Sequence, residues 1–202
     1  MEIFRLTDDK KFASNCYILV SEKSFSVVDP SISYEDALMR VPAISSLEPE
    51  YVLLTHGHLD HIWEIDTYVE RGLKVLVSEE DGKMLSDTAL NCAFMLRGKI
   101  NSYKGEYRVI KDGEAIKVGD NDFKVISTPG HTKGSLCYLS DEIIFTGDTL
   151  FAGGSYGRYD LPSGNREELS ASLRKLFMLP EDLRVYSGHG EATKLKDTKS
   201  FF

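Results

Sequence analysis

Thr55-His56-Gly57-His58-Leu59-Asp60-His61 follows directly on the apolar, strand-like run Tyr51-Val52-Leu53-Leu54 and holds three of the chain's five histidines. The other two stand in glycine-flanked turns, Pro129-Gly130-His131-Thr132 and Ser187-Gly188-His189-Gly190. Three imidazoles and a carboxylate packed so tightly are hard to satisfy without a cation, so the run reads as a holder of transition-metal ions. His56 and His58 alternate along a turning backbone and can face one cation, while Asp60 and His61 come a step later and can face a second. Two neighbouring cations need a bridging anionic oxygen, and Asp148, in Thr146-Gly147-Asp148-Thr149, is the candidate. The glycines let the backbone turn sharply beside the cations.

Working outward, every one of these residues follows a strand candidate. Glu2 to Leu6, Cys16 to Val20 and Phe25 to Asp29 read as an opening β-meander, with polar turn material at residues 7–11. A helical pattern covers Tyr34 to Arg40, and the strand over residues 51–55 ends in the histidine run. Ile62 to Arg71 reads as a helix closed by Gly72, and Leu73 to Val77 as the next strand. Residues 78–106 open on the helix-start signal Ser78-Glu79-Glu80-Asp81 and read as a helical or irregular lid, in which Phe94 and Met95 could line an apolar wall but are expected in the core. Strand patterns return at Tyr107 to Ile110, Glu114 to Val118, Phe123 to Ser127, Leu136 to Leu139, Ile143 to Thr146 and Leu183 to Tyr186, with an amphipathic helix over Glu167 to Phe177. Two β-rich halves with interspersed helices predict an α/β fold of two packed sheets with outer helices, in one domain over residues 1–202.

Composition narrows the function classes. The 24 basic and 32 acidic residues leave a net charge of -8, which disfavours nucleic acid and anionic membrane surfaces as partners. No export signal or membrane-spanning run is evident, and Cys16, Cys92 and Cys137 are too dispersed for a disulfide frame or a thiolate zinc site, so a reducing cytoplasm is expected.

The motifs 55–61, 129–132, Gly147-Asp148 and 188–190, in this order across almost the whole chain, resemble the metallo-β-lactamase superfamily. The resemblance implies a four-layer αββα sandwich with two mixed sheets. It also implies that His56, His58 and His131 hold a first ion and Asp60, His61 and His189 a second, with Asp148 bridging. Residues 129–138 and 146–154, together with Asn91-Cys92-Ala93-Phe94 and Gly157-Arg158-Tyr159-Asp160, resemble the glyoxalase II (hydroxyacylglutathione hydrolase) group within it. Glyoxalase II proper carries a further C-terminal helical domain, so the likeness is to its short, single-domain bacterial relatives, and Ser155-Tyr156 stands where glyoxalase II usually has Cys-Gly.

The chemistry expected is hydrolysis of a thioester or ester carbonyl, on a small substrate that glutathione could carry. Two divalent cations lower the pKa of a shared water toward about 7, so a bridging hydroxide can attack without a serine or cysteine nucleophile. Zinc is the first expectation, with iron and manganese suited to the same donors. Asp60 is expected to act in catalysis besides binding metal, by orienting the nucleophile or carrying a proton. Arg158 is the candidate to grip an anionic substrate tail, against a surface pair with Asp160, and Tyr159 or Tyr156 could offer a phenol. The alternatives are a mononuclear-iron persulfide dioxygenase using His56, His131 and Asp148 as a facial triad, and a non-catalytic protein that metal merely stabilises.

Overall fold

The computed structural model describes residues 1–8, 14–95 and 102–199, so part of the expected lid and part of the turn at 7–11 lie outside the described residues. In the first sheet, β1 (Glu2–Leu6), β2 (Cys16–Val20), β3 (Ser24–Val28), β4 (Glu48–Leu53), β5 (Lys74–Val77) and β6 (Arg108–Val109) lie side by side in chain order. The pairs from β1 to β3 are antiparallel and those from β3 to β6 parallel. Parallel neighbours need a crossover. Helix α1 (Tyr34–Arg40) supplies it between β3 and β4, and the short helices α2 (Leu59–Ile62) and α3 (Ile65–Val69) between β4 and β5; α4 (Glu79–Met84) follows β5. The second sheet runs β12-β11-β10-β9-β8-β7, built from β7 (Ala115–Val118), β8 (Asn121–Ser127), β9 (Leu136–Leu139), β10 (Ile143–Gly147), β11 (Arg184–Ser187) and β12 (Thr193–Lys194). Its one parallel pair, β10 with β11, is bridged by α5 (Arg166–Phe177), and α6 (Leu195–Thr198) follows β12.

Side chains alternate across a strand, and here both faces are apolar. Tyr17, Leu19, Val28, Leu53 and Leu76 of the first sheet meet Val125, Leu136, Tyr138, Phe145 and Tyr186 of the second. The intervening residues Cys16, Ile18, Val27, Val52 and Val75 face outward against Ala37, Ile65 and Tyr68. Ile126, Cys137, Ile144 and Val185 pack on the other side against Leu169, Leu173 and Leu176 of α5. Three apolar layers between helix, sheet, sheet and helix make the αββα sandwich. Among the described residues no helix is long and apolar enough to cross a membrane.

Local departures from the sequence reading have physical causes. The single helix expected over 62–71 divides into α2 and α3, because Glu64 leaves helical geometry (φ -116°, ψ 21°) and its N–H donates to Pro30 O at 2.9 Å. Gly72 does close the second piece, at φ +95° with its N–H on Val69 O. The strand at 107–110 shrinks to Arg108–Val109 at the sheet edge, and the 3-10 turn at Pro42–Ser46, β12 and α6 carry too little periodicity to be read. Phe94 and Met95, expected in the core, are instead 65% and 45% exposed, on a short 3-10 turn at Ala93–Met95 that leaves the sandwich.

Leu176 is fully buried between α5 and the second sheet. Leu176→Ala is expected to lower unfolding stability by about 2–5 kcal/mol, read from urea denaturation of the metal-loaded protein.

Candidate metal centre

The carboxyl ends of strands from both sheets meet at one edge of the sandwich, as open α/β sheets tend to present their sites. Asp29 follows β3, His56 to His61 follow β4, Asp81 lies just beyond β5, His131 follows β8, Asp148 follows β10 and His189 follows β11. Backbone bonds sew these ends together: Leu136 N–H donates to Thr55 O at 2.8 Å, Gly188 N–H to Gly147 O at 2.8 Å and Asn15 N–H to Gly188 O at 2.7 Å. Residues far apart in sequence are thereby held within bonding range.

Hydrogen bonds fix which ring nitrogen His56, His61 and His131 present. Thr55 Oγ1 donates to Asp29 Oδ2 at 2.7 Å, so it accepts from His56 Nδ1 at 3.1 Å, and His56 Nε2 keeps its lone pair for the site. Asp29 Oδ2 also faces His61 Nδ1 at 2.9 Å, which turns His61 Nε2 inward. Arg158 O can only accept, so His131 Nδ1 donates to it at 2.6 Å and Nε2 is free. His56 Nε2 and His58 Nδ1 then lie 3.2 and 2.9 Å from His131 Nε2. Asp81 joins the two loops that carry these rings, accepting from Gly57 N–H (2.9 Å), Thr132 Oγ1 (2.7 Å) and Gly134 N–H (2.9 Å).

A second group forms beside the first. His61 Nε2 stands 3.3 Å from Asp148 Oδ1 and 3.7 Å from Asp60 Oδ2, and His189 Nε2 stands 3.3 Å from Asp60 Oδ2 and 3.5 Å from Asp148 Oδ2. Asp148 Oδ2 is also 3.6 Å from His131 Nε2, so this one carboxylate faces both groups. A Cβ on Gly188 would collide with Asp148 Oδ1, so only glycine permits this approach.

The two groups differ electrostatically. Burial and the neighbouring imidazoles push His56 well below the usual histidine range and His58 down to about 3, leaving neutral rings ready to act as ligands. Burial also disfavours charge on His61 and His189, but Asp29, Asp60 and Asp148 outweigh it at His61, and Asp148 and Asp60 raise His189 to about 9. Burial alone would raise Asp148, yet His61 and His189 hold it well below the usual carboxylate range.

The donors fit divalent ions. His56, His58 and His131 form one group, His56, His61 and Asp148 another, and Asp60, His61 and His189 a third, each with its ligand atoms within 4.8 Å of one another. Tetrahedral Zn–N bonds of about 2.0–2.1 Å place ligand nitrogens about 3.3–3.4 Å apart, close to the spacing seen here. His61 Nε2 and Asp148 Oδ1 are buried without a hydrogen-bond partner, as ligand atoms aimed at a cation would be.

The cluster opens into a cavity of about 370 Å³ whose wall includes Leu59, Met95, Phe151, Tyr156, Arg158 and Leu161. Arg158 is exposed there and forms a two-pronged pair with Asp160 at 2.9 Å, the surface pairing weighed for it from sequence. Tyr159 does not line this cavity; it packs against the α5 cluster, with Arg166 5.9 Å over its ring. Asp29 and Asp81, whose carboxylates bond the loops of the cluster, escaped the sequence reading. Asp29 and Asp81 are polar residues close behind strand ends, the one available signal, but turns use the same residues.

Two mixed sheets between helix layers, with a histidine and aspartate cluster at one edge, make a metallo-hydrolase scaffold. The family model of the metallo-beta-lactamase superfamily matches residues 9–189, and the chain belongs to that superfamily. It is 35% identical over 185 residues to the probable metallo-hydrolase YqgX of Bacillus subtilis, covering 89% of this chain and 86% of that protein. To the hydroxyacylglutathione hydrolase GloC of Haemophilus influenzae it is 33% identical over 195 residues, 93% and 91% of the two chains. The crystal structure of the B3 metallo-beta-lactamase BLEG-1 superposes with a TM-score of 0.88 at 30% identity, over 98% of this chain and 97% of that one.

Asp29→Asn would turn an amide toward donors that need acceptors. Metal affinity is expected to fall about 10–100-fold, measured by competition with a chromogenic chelator.

Proposed function

We propose that the chain hydrolyses thioester or ester carbonyls of small molecules as a two-metal enzyme of the glyoxalase II kind, acting as a single domain over residues 1–202 in the cytoplasm. The observation that carries this reading is Asp148, whose two oxygens face both imidazole groups at the floor of an open cavity. His56, His58 and His131 would hold one ion, and Asp60, His61 and His189 the other, with Asp148 between them and zinc the first candidate metal. Such a pair supplies a nucleophile from water at neutral pH and Lewis acidity toward a carbonyl.

The chain's own groups do the rest. Asp60, at the cavity wall with Oδ2 toward His61 and His189, orients the attacking water and can hold its proton on that oxygen. Asp29 and Thr55 keep His61 and His56 from rotating, which is positioning fixed before substrate arrives. Leu59, Met95, Phe151 and Leu161 keep bulk water from the acyl group. The pair of Arg158 with Asp160 is exposed and screened by solvent, so a substrate carboxylate can take the guanidinium from it. A thiolate leaving group needs no strong general acid, in keeping with the lack of any histidine outside the cluster. The resemblance to GloC over 93% of this chain supports a hydroxyacyl thioester.

Elemental analysis of protein purified without added metal, joined to a thioester assay with glutathione and non-glutathione carriers, tests the proposal. Two ions per chain and thioester cleavage are expected; one iron per chain with oxygen uptake on glutathione persulfide would establish the dioxygenase instead. Asp60→Ala is expected to abolish turnover, and wild-type kcat at full metal content in that variant would refute the mechanism. Arg158→Ala should raise KM for a carboxylate-bearing substrate about tenfold while Tyr159→Phe leaves it unchanged.

A further inference from the structure

Thr55, Asp29 and Arg158 each hold a ring of the cluster, at His56, His61 and His131, by the nitrogen that points away from it. The His189 ring has no such outer partner among the described residues; its Nε2 faces Asp60 and Asp148, and its side chain is 34% exposed. Its place therefore depends on the backbone that carries it. That backbone is tied at every carbonyl from 187 to 190. Ser187 O accepts from Asn15 Nδ2 at 2.9 Å and from the Tyr17 hydroxyl at 2.6 Å, and Gly188 O accepts from Asn15 N–H at 2.7 Å. His189 O accepts from Ser187 Oγ at 2.7 Å, and Gly190 O from Asn15 Nδ2 at 2.9 Å and from Arg5 Nη1. Asn15 serves three of these four carbonyls, from the start of β2 in the opposite sheet. Carbonyls can only accept, so the amide turns its nitrogen, with two hydrogens, toward Ser187 and Gly190.

The residue before it reaches the other side of the same group. Ser14 Oγ donates to Asp60 O at 3.0 Å, and Ser14 O accepts from Ser31 Oγ at 2.7 Å, which fixes Ser14 to the turn after β3. Ser14 and Asn15 are both buried, so these bonds have little water to compete with them. The dipeptide thus grips the backbones of Asp60 and His189, whose side chains face each other at 3.3 Å. None of its bonds reaches His56, His58 or His131, and it is Asp81 that joins the loops of the last two. Ligands must be held to within a few tenths of an ångström if a cation is to meet all of them at bonding distance. We propose that Ser14 and Asn15 are positioning residues for the ion that Asp60, His61 and His189 would hold. They set the separation of the Asp60 and His189 loops and leave the ion at His56, His58 and His131 to Asp81. The inference rests on the two-metal reading above.

The test is Zn2+ binding to the full chain in competition with a chromogenic chelator, where the wild type should show one binding step per ion. His189→Ala should abolish one step and so mark it as the step at Asp60, His61 and His189. Asn15→Leu removes both side-chain donors without adding charge, and should weaken the marked step about 10–100-fold while moving the other less than about twofold. Ser14→Ala removes one hydrogen bond and should weaken the marked step about 2–10-fold. Asp81→Asn should act in reverse, weakening the unmarked step. A general loss of stability would weaken both steps together, which separates positioning from folding. Where Asn15→Leu does not fold, Ser14→Ala decides. Variants at 14 and 15 that weaken both steps alike, or neither, would overturn the positioning role and leave the two-metal reading intact. A wild type with a single step, or a His189→Ala protein that keeps both, would overturn that reading and this role with it.

Discussion

Asp29 accepts three hydrogen bonds at the end of β3, from Thr55 N–H, Thr55 Oγ1 and His61 Nδ1, and the geometry of the metal centre hangs from that one carboxylate. To reach them its backbone adopts φ +52°, which aspartate tolerates better than most side chains. A buried carboxylate is expensive unless hydrogen-bonded and matched by opposite charge. Both conditions are met here. The bonds orient His61 directly and His56 through the Thr55 hydroxyl, so the two rings that begin and end the β4 loop are set by a residue on the neighbouring strand.

The same logic recurs with other partners. Asp81 ties the loop of His58 to the loop of His131, the Arg158 carbonyl turns His131, and Gly188 lets His189's loop pass close to Asp148. The rings of His56, His61 and His131 are each held from the side away from the site. His56 and His58 in one half are held neutral, whereas carboxylates in the other half favour protonated His61 and His189, so there a cation must displace protons.

Much of this was legible from residue order. The five histidines and Asp148 each follow a strand-like run, and five-residue strands such as Cys16–Val20 show on both faces the apolar character of a doubly covered sheet. What escaped shares a cause. Asp29 looked like the last residue of a strand and Asp81 like part of a helix-start signal, because their partners, at residues 55, 61, 57, 132 and 134, are distant in the chain. Phe94 and Met95 looked like core because apolar character alone does not say which surface a turn faces.

The sequence by itself determined the two-sheet fold, the cluster of metal-type ligands and their order along the chain, since periodicity and ligand chemistry are local properties. Only the tertiary structure decided which nitrogen His56, His61 and His131 present, that Asp148 faces both groups, and that Tyr156 rather than Tyr159 lines the cavity. Those facts depend on bonds between strand ends brought together from opposite sheets, and such contacts have no signature in the order of residues along either strand.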